Sequence, residues 1–126
     1  MNSEDFGRKG EEWFAKSFPF AKWINEIKEQ KLEYDFEMPN NYLQLFKKNK
    51  IDVKITSKNS WTFNCAWSNH NKFFDRDICY VLLYMNPIDK NIEIVKIRTG
   101  NEILEKEIVN PNKAGKKNCY ISRIQR

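Results

Sequence analysis

Residues 78–85 read Ile-Cys-Tyr-Val-Leu-Leu-Tyr-Met, eight apolar or aromatic side chains without a break. This run constrains the fold more than any other segment. It is far short of the roughly 18 apolar residues that a membrane-spanning helix needs. It has no polar alternation, so it cannot be a strand with one wet face. The pattern predicts a strand buried on both faces. Such a strand needs neighbours on either side in a sheet, and covering layers above and below it.

The rest of the chain supplies those partners. Phe6, Gly10, Trp13, Phe14 and Phe18 fall on one face at helical spacing, which predicts a helix over residues 3–18, stopped by Pro19. Residues 21–29 fit either a strand or a short helix. Residues 32–38 alternate, with Leu32, Tyr34, Phe36 and Met38 on one side and Glu33, Asp35 and Glu37 on the other. Residues 42–46 and 50–56 read as extended. In 50–56, Ile51, Val53 and Ile55 oppose Asp52, Lys54 and Thr56. Residues 61–67 alternate again, with Trp61, Phe63, Cys65 and Trp67 sharing a face. A short helix to Phe74, strand 78–85, strand 91–97, a helix over 101–109 and strand 119–124 complete the order. The expectation is one α+β (mixed α/β) domain over residues 1–126, a central mixed sheet flanked by helices.

Composition narrows the partners and the compartment. The 126 residues include nine Phe, five Tyr and four Trp, ample for a core without a disulfide or metal staple. Cys65, Cys79 and Cys119 lack zinc-knuckle spacing, and His70 is the only histidine, which argues against structural zinc. Free thiols and the lack of a secretory signal point to a reducing cytoplasm, and no membrane association is expected. The net charge of +5 favours a polyanionic partner.

Asp52 and Lys54 are two apart on one strand, so both side chains leave the same face, roughly 6–7 Å apart. Asp35 lies on a neighbouring predicted strand, 17 residues before Asp52, enough for a hairpin that brings the two together. Two carboxylates converging beside one lysine make a plausible magnesium site, since magnesium takes hard oxygen ligands and substrate phosphate oxygens. Asp-Val-Lys is also the ordinary pattern of a solvated strand face carrying a weak surface ion pair.

The wider arrangement resembles the PD-(D/E)XK nuclease superfamily, with its restriction-endonuclease-like fold. Three segments carry the resemblance: Gly7-Arg8-Lys9-Gly10-Glu11 opening an amphipathic helix, Tyr34-Asp35-Phe36, and Ile51-Asp52-Val53-Lys54-Ile55-Thr56. Strand 61–67, a short helix and strand 78–85 follow in the family's order. The resemblance implies catalytic Asp35, Asp52, Lys54 and Glu11. It implies metal ligation by Asp35, Asp52, the Val53 backbone carbonyl and Glu11, with Glu12 as a competitor for the helix glutamate. Tyr34 stands where the family often has proline, and Asp52 where it more often has glutamate.

The activity so implied is a magnesium-dependent endonuclease, with manganese substituting, that hydrolyses phosphodiester bonds in branched or duplex DNA. Junction resolvase-like, phage or mobile-element and restriction types all fit. A homodimer is the expected assembly. Lys9, Lys58, Asn59, Asn64 and Lys72 are the expected nucleic-acid contacts. The alternative is a catalytically inactive nucleic-acid-binding module of the same fold. A third reading is an interaction protein with a basic surface and no phosphate chemistry.

Overall fold

A computed structural model describes residues 3–24, 34–63, 73–107 and 119–124. Helix α1 spans Ser3–Ser17. Strands β1 (Lys22–Trp23), β2 (Phe36–Glu37), β3 (Lys50–Thr56), β5 (Ile78–Met85) and β6 (Ile92–Thr99) form a five-stranded mixed sheet in the order β1-β2-β3-β5-β6. β3 and β5 run parallel; the other pairs are antiparallel. Strands β4 (Ser60–Phe63) and β7 (Cys119–Ser122) make a separate antiparallel ribbon. Short helices α2 (Leu43–Phe46) and α3 (Gly100–Glu102) complete the described elements, and a π turn over Ile103–Glu107 continues α3. This is the α+β class with a mixed sheet.

As the apolar run predicts, β5 lies between β3 and β6, and its two alternating sets of side chains seed two cores. Cys79, Val81 and Leu83 join Ile51 and Val53 of β3, Phe36, Phe46 and Phe14 of α1. Ile78, Tyr80 and Leu82 join Trp61, Phe63, Cys119 and Ile121 of the β4–β7 ribbon, with Phe74 and Ile103. Gly10 lets α1 settle onto β3, because a Cβ there would lie 3.0 Å from the Ile55 side chain. The ladder between β5 and β6 slips at Leu82/Leu83, and the Leu83 carbonyl accepts the indole N–H of buried Trp61 at 2.8 Å. Cys79 and Cys119 are buried and used as small apolar residues, and burial pushes the Cys79 thiol up to about 12. No helix among the described residues is long and apolar enough to cross a membrane.

Four local expectations are corrected. Residues 42–46 are not extended. Pro39 starts a 3₁₀ turn over Asn40–Tyr42 that runs into α2, placing Tyr42 and Phe46 one helical turn apart against Phe18. Helix α2 ends at Lys47, whose positive φ of 71° closes it with an N–H bond to Leu43 O at 2.7 Å. The helix expected over 101–109 is only one turn before it widens into the π turn. Strand β4 pairs with β7 rather than with β3, so the chain builds two sheets rather than one. Of the strand expected over 32–38, residues 32 and 33 lie outside the described residues; in 34–38 only Phe36–Glu37 pair as regular strand, and Tyr34 packs on the opposite core from Phe36 and Met38.

The outer strand β6 is tied to the π turn by a buried charge cluster. Lys96 Nζ donates to Glu107 Oε1 at 2.6 Å and Arg98 Nε donates to Oε2 at 2.7 Å; Lys96 and the Glu107 carboxylate are each 7% exposed. Burial pushes the Glu107 carboxyl up, but the two cations outweigh it and hold it below the usual range. A depressed carboxyl contributes stability above its unfolded pKa, lost as pH falls through its folded value. Glu107→Gln is therefore expected to cost about 3–5 kcal/mol at neutral pH, because it leaves a buried ammonium without its carboxylate. In urea titrations the deficit should narrow once the pH drops below about 4, near the ordinary glutamate value.

Candidate active site

The site begins where β2 stops. Phe36 lies opposite Ile51, yet the Asp35 N–H also bonds Ile51 O at 2.8 Å. Two residues on β2's side thus address one on β3, the arrangement of a β-bulge, which re-aims side chains. Here the re-aimed group is Asp35: its Oδ2 accepts the Val53 N–H at 2.8 Å, taking the place of a strand partner. Asp35 O accepts from Ile24 N at 2.8 Å, fixing the other side of the residue.

Beyond Ile51, β3 has no strand neighbour on that side among the described residues. Peptide groups alternate along a strand, so Val53 and Ile55 turn theirs to this open edge. The Val53 carbonyl leaves on the same side as the N–H that Asp35 binds.

Asp52 and Lys54 share the opposite face of β3 from Val53, in register with Tyr80 and Leu82 of β5. Asp52 is only 9% exposed, so this is not a solvated strand face. Lys54 Nζ lies 3.7 Å from Asp52 Oδ2, and its side chain remains 42% exposed. Burial pushes the Asp52 carboxyl well above the usual range. Lys54 opposes this, while the Asp35 carboxyl, close enough to share a hydrogen bond, adds to it. The Lys54 ammonium is held above its ordinary value, first by Asp52 against the cost of burial, then by Asp35 and Glu11. Near neutral pH Lys54 is therefore a cation and not a base.

Glu11 reaches the same group from α1. Its Oε1 accepts the Trp23 indole N–H at 3.0 Å, and the Arg8 guanidinium lies 4.4 Å from the Trp23 ring centroid. Burial raises the Glu11 carboxyl, Asp35 adds to the rise, and Trp23, Arg8 and Lys54 oppose it.

These groups face a cleft of about 550 Å³ at the open edge of β3, lined by Glu11, Asp35, Val53 and Lys54 together with Phe6, Gly7, Ile55, Thr62, Phe63 and Phe73. Asp52 is buried and is not part of this lining. A smaller cleft of about 320 Å³ shares Phe6, Lys54, Ile55 and Thr62 with the first and continues past Ser57, Lys58 and Ser60.

The structure thus brings together Asp35, Asp52, Val53, Lys54 and Glu11. Glu12 is exposed and does not line the cleft. Lys58 is at the second cleft. Lys9 lines neither cleft, and Asn59 is engaged elsewhere, its side chain accepting from Arg123 at 3.0 Å. Asn64 and Lys72, like Glu33, Cys65, Trp67 and His70, lie outside the described residues. The strand expected over 61–67, which carries Asn64, pairs with β7 as β4 and not with the strand of Asp52 and Lys54.

The sequence reading missed Trp23 and Arg8, which position Glu11, and Phe6, Phe63 and Phe73, which wall the cleft. One signal was legible. Gly7 lies one helical turn before Glu11 and a Cβ there would meet nothing within 4 Å, so α1 opens onto space where Glu11 emerges.

Among the described residues, no three carboxylate, imidazole or thiolate groups converge as a ready-made metal-ligand set. The donor chemistry nevertheless suits a divalent cation: hard oxygens from two adjoining carboxyls, a carbonyl turned to the same edge, and carboxyls outnumbering the nearby cations.

Removing the Asp35 charge takes away one cause of the Asp52 shift. In Asp35→Asn the Asp52 carboxyl is expected to titrate at lower pH than in the wild type. Carbon-13 NMR of the side-chain carboxyls measures this; an unchanged Asp52 titration would contradict the contact between the two.

Compared with protein-family models, with curated proteins and with solved structures, the chain matches none.

Proposed function

We propose that this protein is a magnesium-dependent endonuclease that hydrolyses phosphodiester bonds in DNA, on a restriction-endonuclease-like variant of the α+β fold. One observation carries the reading: Asp35 and Lys54 line a cleft at the edge of β3, and the buried Asp52 carboxyl adjoins both, 3.7 Å from the Lys54 ammonium. Neither carboxyl nor ammonium is placed for stability. An ion pair at 3.7 Å with a 42% exposed lysine contributes only about 0–1 kcal/mol, while Asp52 bears the cost of burial.

Asp35, Asp52 and the Val53 carbonyl would hold the cation, and Glu11 would support it from α1. When bound, such an ion neutralises phosphate charge and makes a nucleophile of water. The remaining work belongs to the chain. The Asp35–Val53 bond fixes one carboxylate relative to the strand. Trp23 fixes Glu11 by one oxygen and leaves the other for the cleft. Lys54, protonated and partly exposed, offsets the charge that grows on the scissile phosphate during in-line attack. The basic Lys58 and the hydroxyls of Ser57 and Ser60 continue the cleft along the path of a phosphate backbone.

A second reading, a binding module of the same fold without catalysis, is favoured by the Lys54–Asp52 pair, which balances one carboxylate without a metal. Cleavage assays on plasmid, single-stranded, hairpin and four-way-junction DNA, with and without magnesium or manganese, separate the two. Metal-dependent cutting supports the nuclease. Salt-sensitive binding with no cutting of any substrate supports the module. Lys54→Ala is expected to fold, to bind DNA, and to cut about 100–1,000-fold more slowly, the usual effect of losing one well-placed group at developing charge. Full activity in the purified variant would remove Lys54 from the active site.

A further inference from the structure

The cleft is walled by aromatic rings that the chemistry proposed above does not use. Phe73 is 42% exposed although it is large and apolar, and Phe6 is only partly buried. The two rings belong to opposite walls. Phe6 comes from α1, which packs on the sheet face of Ile51, Val53 and Ile55. Phe73 packs edge-on against Phe63 and Phe74, at ring-centroid distances of 6.2 and 5.1 Å, and these belong to the core on the other face. The open edge of β3, with Lys54, lies between them.

The dimensions limit what can enter. A volume of about 550 Å³ falls within the range of ~300–1,000 Å³ that encloses one drug-sized ligand. One nucleotide is of a size to sit inside it, whereas a duplex could only lie across its mouth. The lining divides in the same way that a nucleotide does. Aromatic faces suit a base, while Lys54 and the adjoining cleft of Ser57, Lys58 and Ser60 suit its phosphate and the next one. Apolar walls next to a charged floor fit an unpaired base on a polyanionic backbone better than a purely apolar ligand.

We infer that the substrate at the scissile position is an unpaired nucleotide, whose base stacks between Phe6 and Phe73 while its phosphate meets Lys54. This inference rests on the nuclease reading and specifies its substrate: single-stranded segments, including those at branch points and frayed ends, and not continuous duplex. The aromatic contact is independent of base identity, because every base offers a π face.

Binding and cutting are measured separately to test it. Fluorescence of a 2-aminopurine placed within a single-stranded oligonucleotide reports stacking, and anisotropy reports affinity, both in EDTA so that no cleavage occurs. The wild type is expected to quench the probe and to bind the single strand at least 10-fold more tightly than a blunt duplex of the same sequence. Phe73→Ala is expected to lose the quenching and about 5–100-fold of single-strand affinity, with duplex affinity unchanged. Phe73→Leu keeps an apolar side chain against Phe63 and Phe74 but has no ring, so it should show the same losses with the fold retained. Equal affinity for strand and duplex, or undiminished quenching in both Phe73 variants, overturns the inference. An enzyme that cuts continuous duplex as fast as single strands also overturns it and leaves the nuclease reading intact. A protein that stacks the probe and discriminates against duplex, yet cuts nothing with magnesium or manganese, upholds the stacking site and removes the nuclease reading.

Discussion

The bond from the Val53 N–H to the Asp35 carboxylate organises this molecule. In a longer hairpin a backbone carbonyl would take that N–H, and the sheet would close over the edge of β3. Instead, among the described residues, the pairing ends after Ile51 at the bulge of Asp35 and Phe36, and a side chain takes the Val53 N–H. Three consequences follow from this one substitution. Among the described residues no strand covers this edge of β3, and the Val53 and Ile55 peptide groups turn towards it. Asp35 is brought against Asp52. The space between α1 and β4, which a strand would fill, becomes the cleft.

Two carboxylate clusters in the same small fold differ in how their buried charge is met. Glu107 is buried, but two cations grip both its oxygens, and its carboxyl falls below the ordinary range. Asp52 is also buried, but it meets one lysine at longer range and a second carboxyl, and it rises above that range. The first cluster is satisfied internally. The second holds surplus negative charge in a place the core could have filled with apolar side chains, a local conflict of the kind that proteins retain at functional sites.

Much of the frame was legible in the sequence because it follows from hydrophobic period. The apolar run at 78–85 predicts β5 as an interior strand buried on both faces, and alternation in 50–56 puts Asp52 and Lys54 on one face and Ile51 and Val53 on the other. Helical spacing gives α1 and the burial of Gly10 and Phe14. What period could not reveal was any break in it. The bulge reverses the alternation of 32–38 and sends Tyr34 to the other core. The 3₁₀ turn after Pro39 winds a segment whose aromatic residues also fit a strand. The pairing of β4 with β7 joins residues almost 60 apart in sequence, with no local signal. The candidate site residues were legible as chemical types, but the burial of Asp52 and the Trp23–Glu11 bond come from packing.

The proposed nuclease needs a divalent cation at the edge of β3, held by Asp35, Asp52 and the Val53 carbonyl. Anomalous scattering from a crystal soaked in manganese tests it most directly. One strong peak is expected at that edge, about 2.1–2.3 Å from a carboxylate oxygen of Asp35, one of Asp52 and the Val53 carbonyl oxygen, as hard oxygen ligands bind small divalent cations. Saturating manganese that leaves this edge without a peak, while the Lys54–Asp52 pair stays closed, would contradict it.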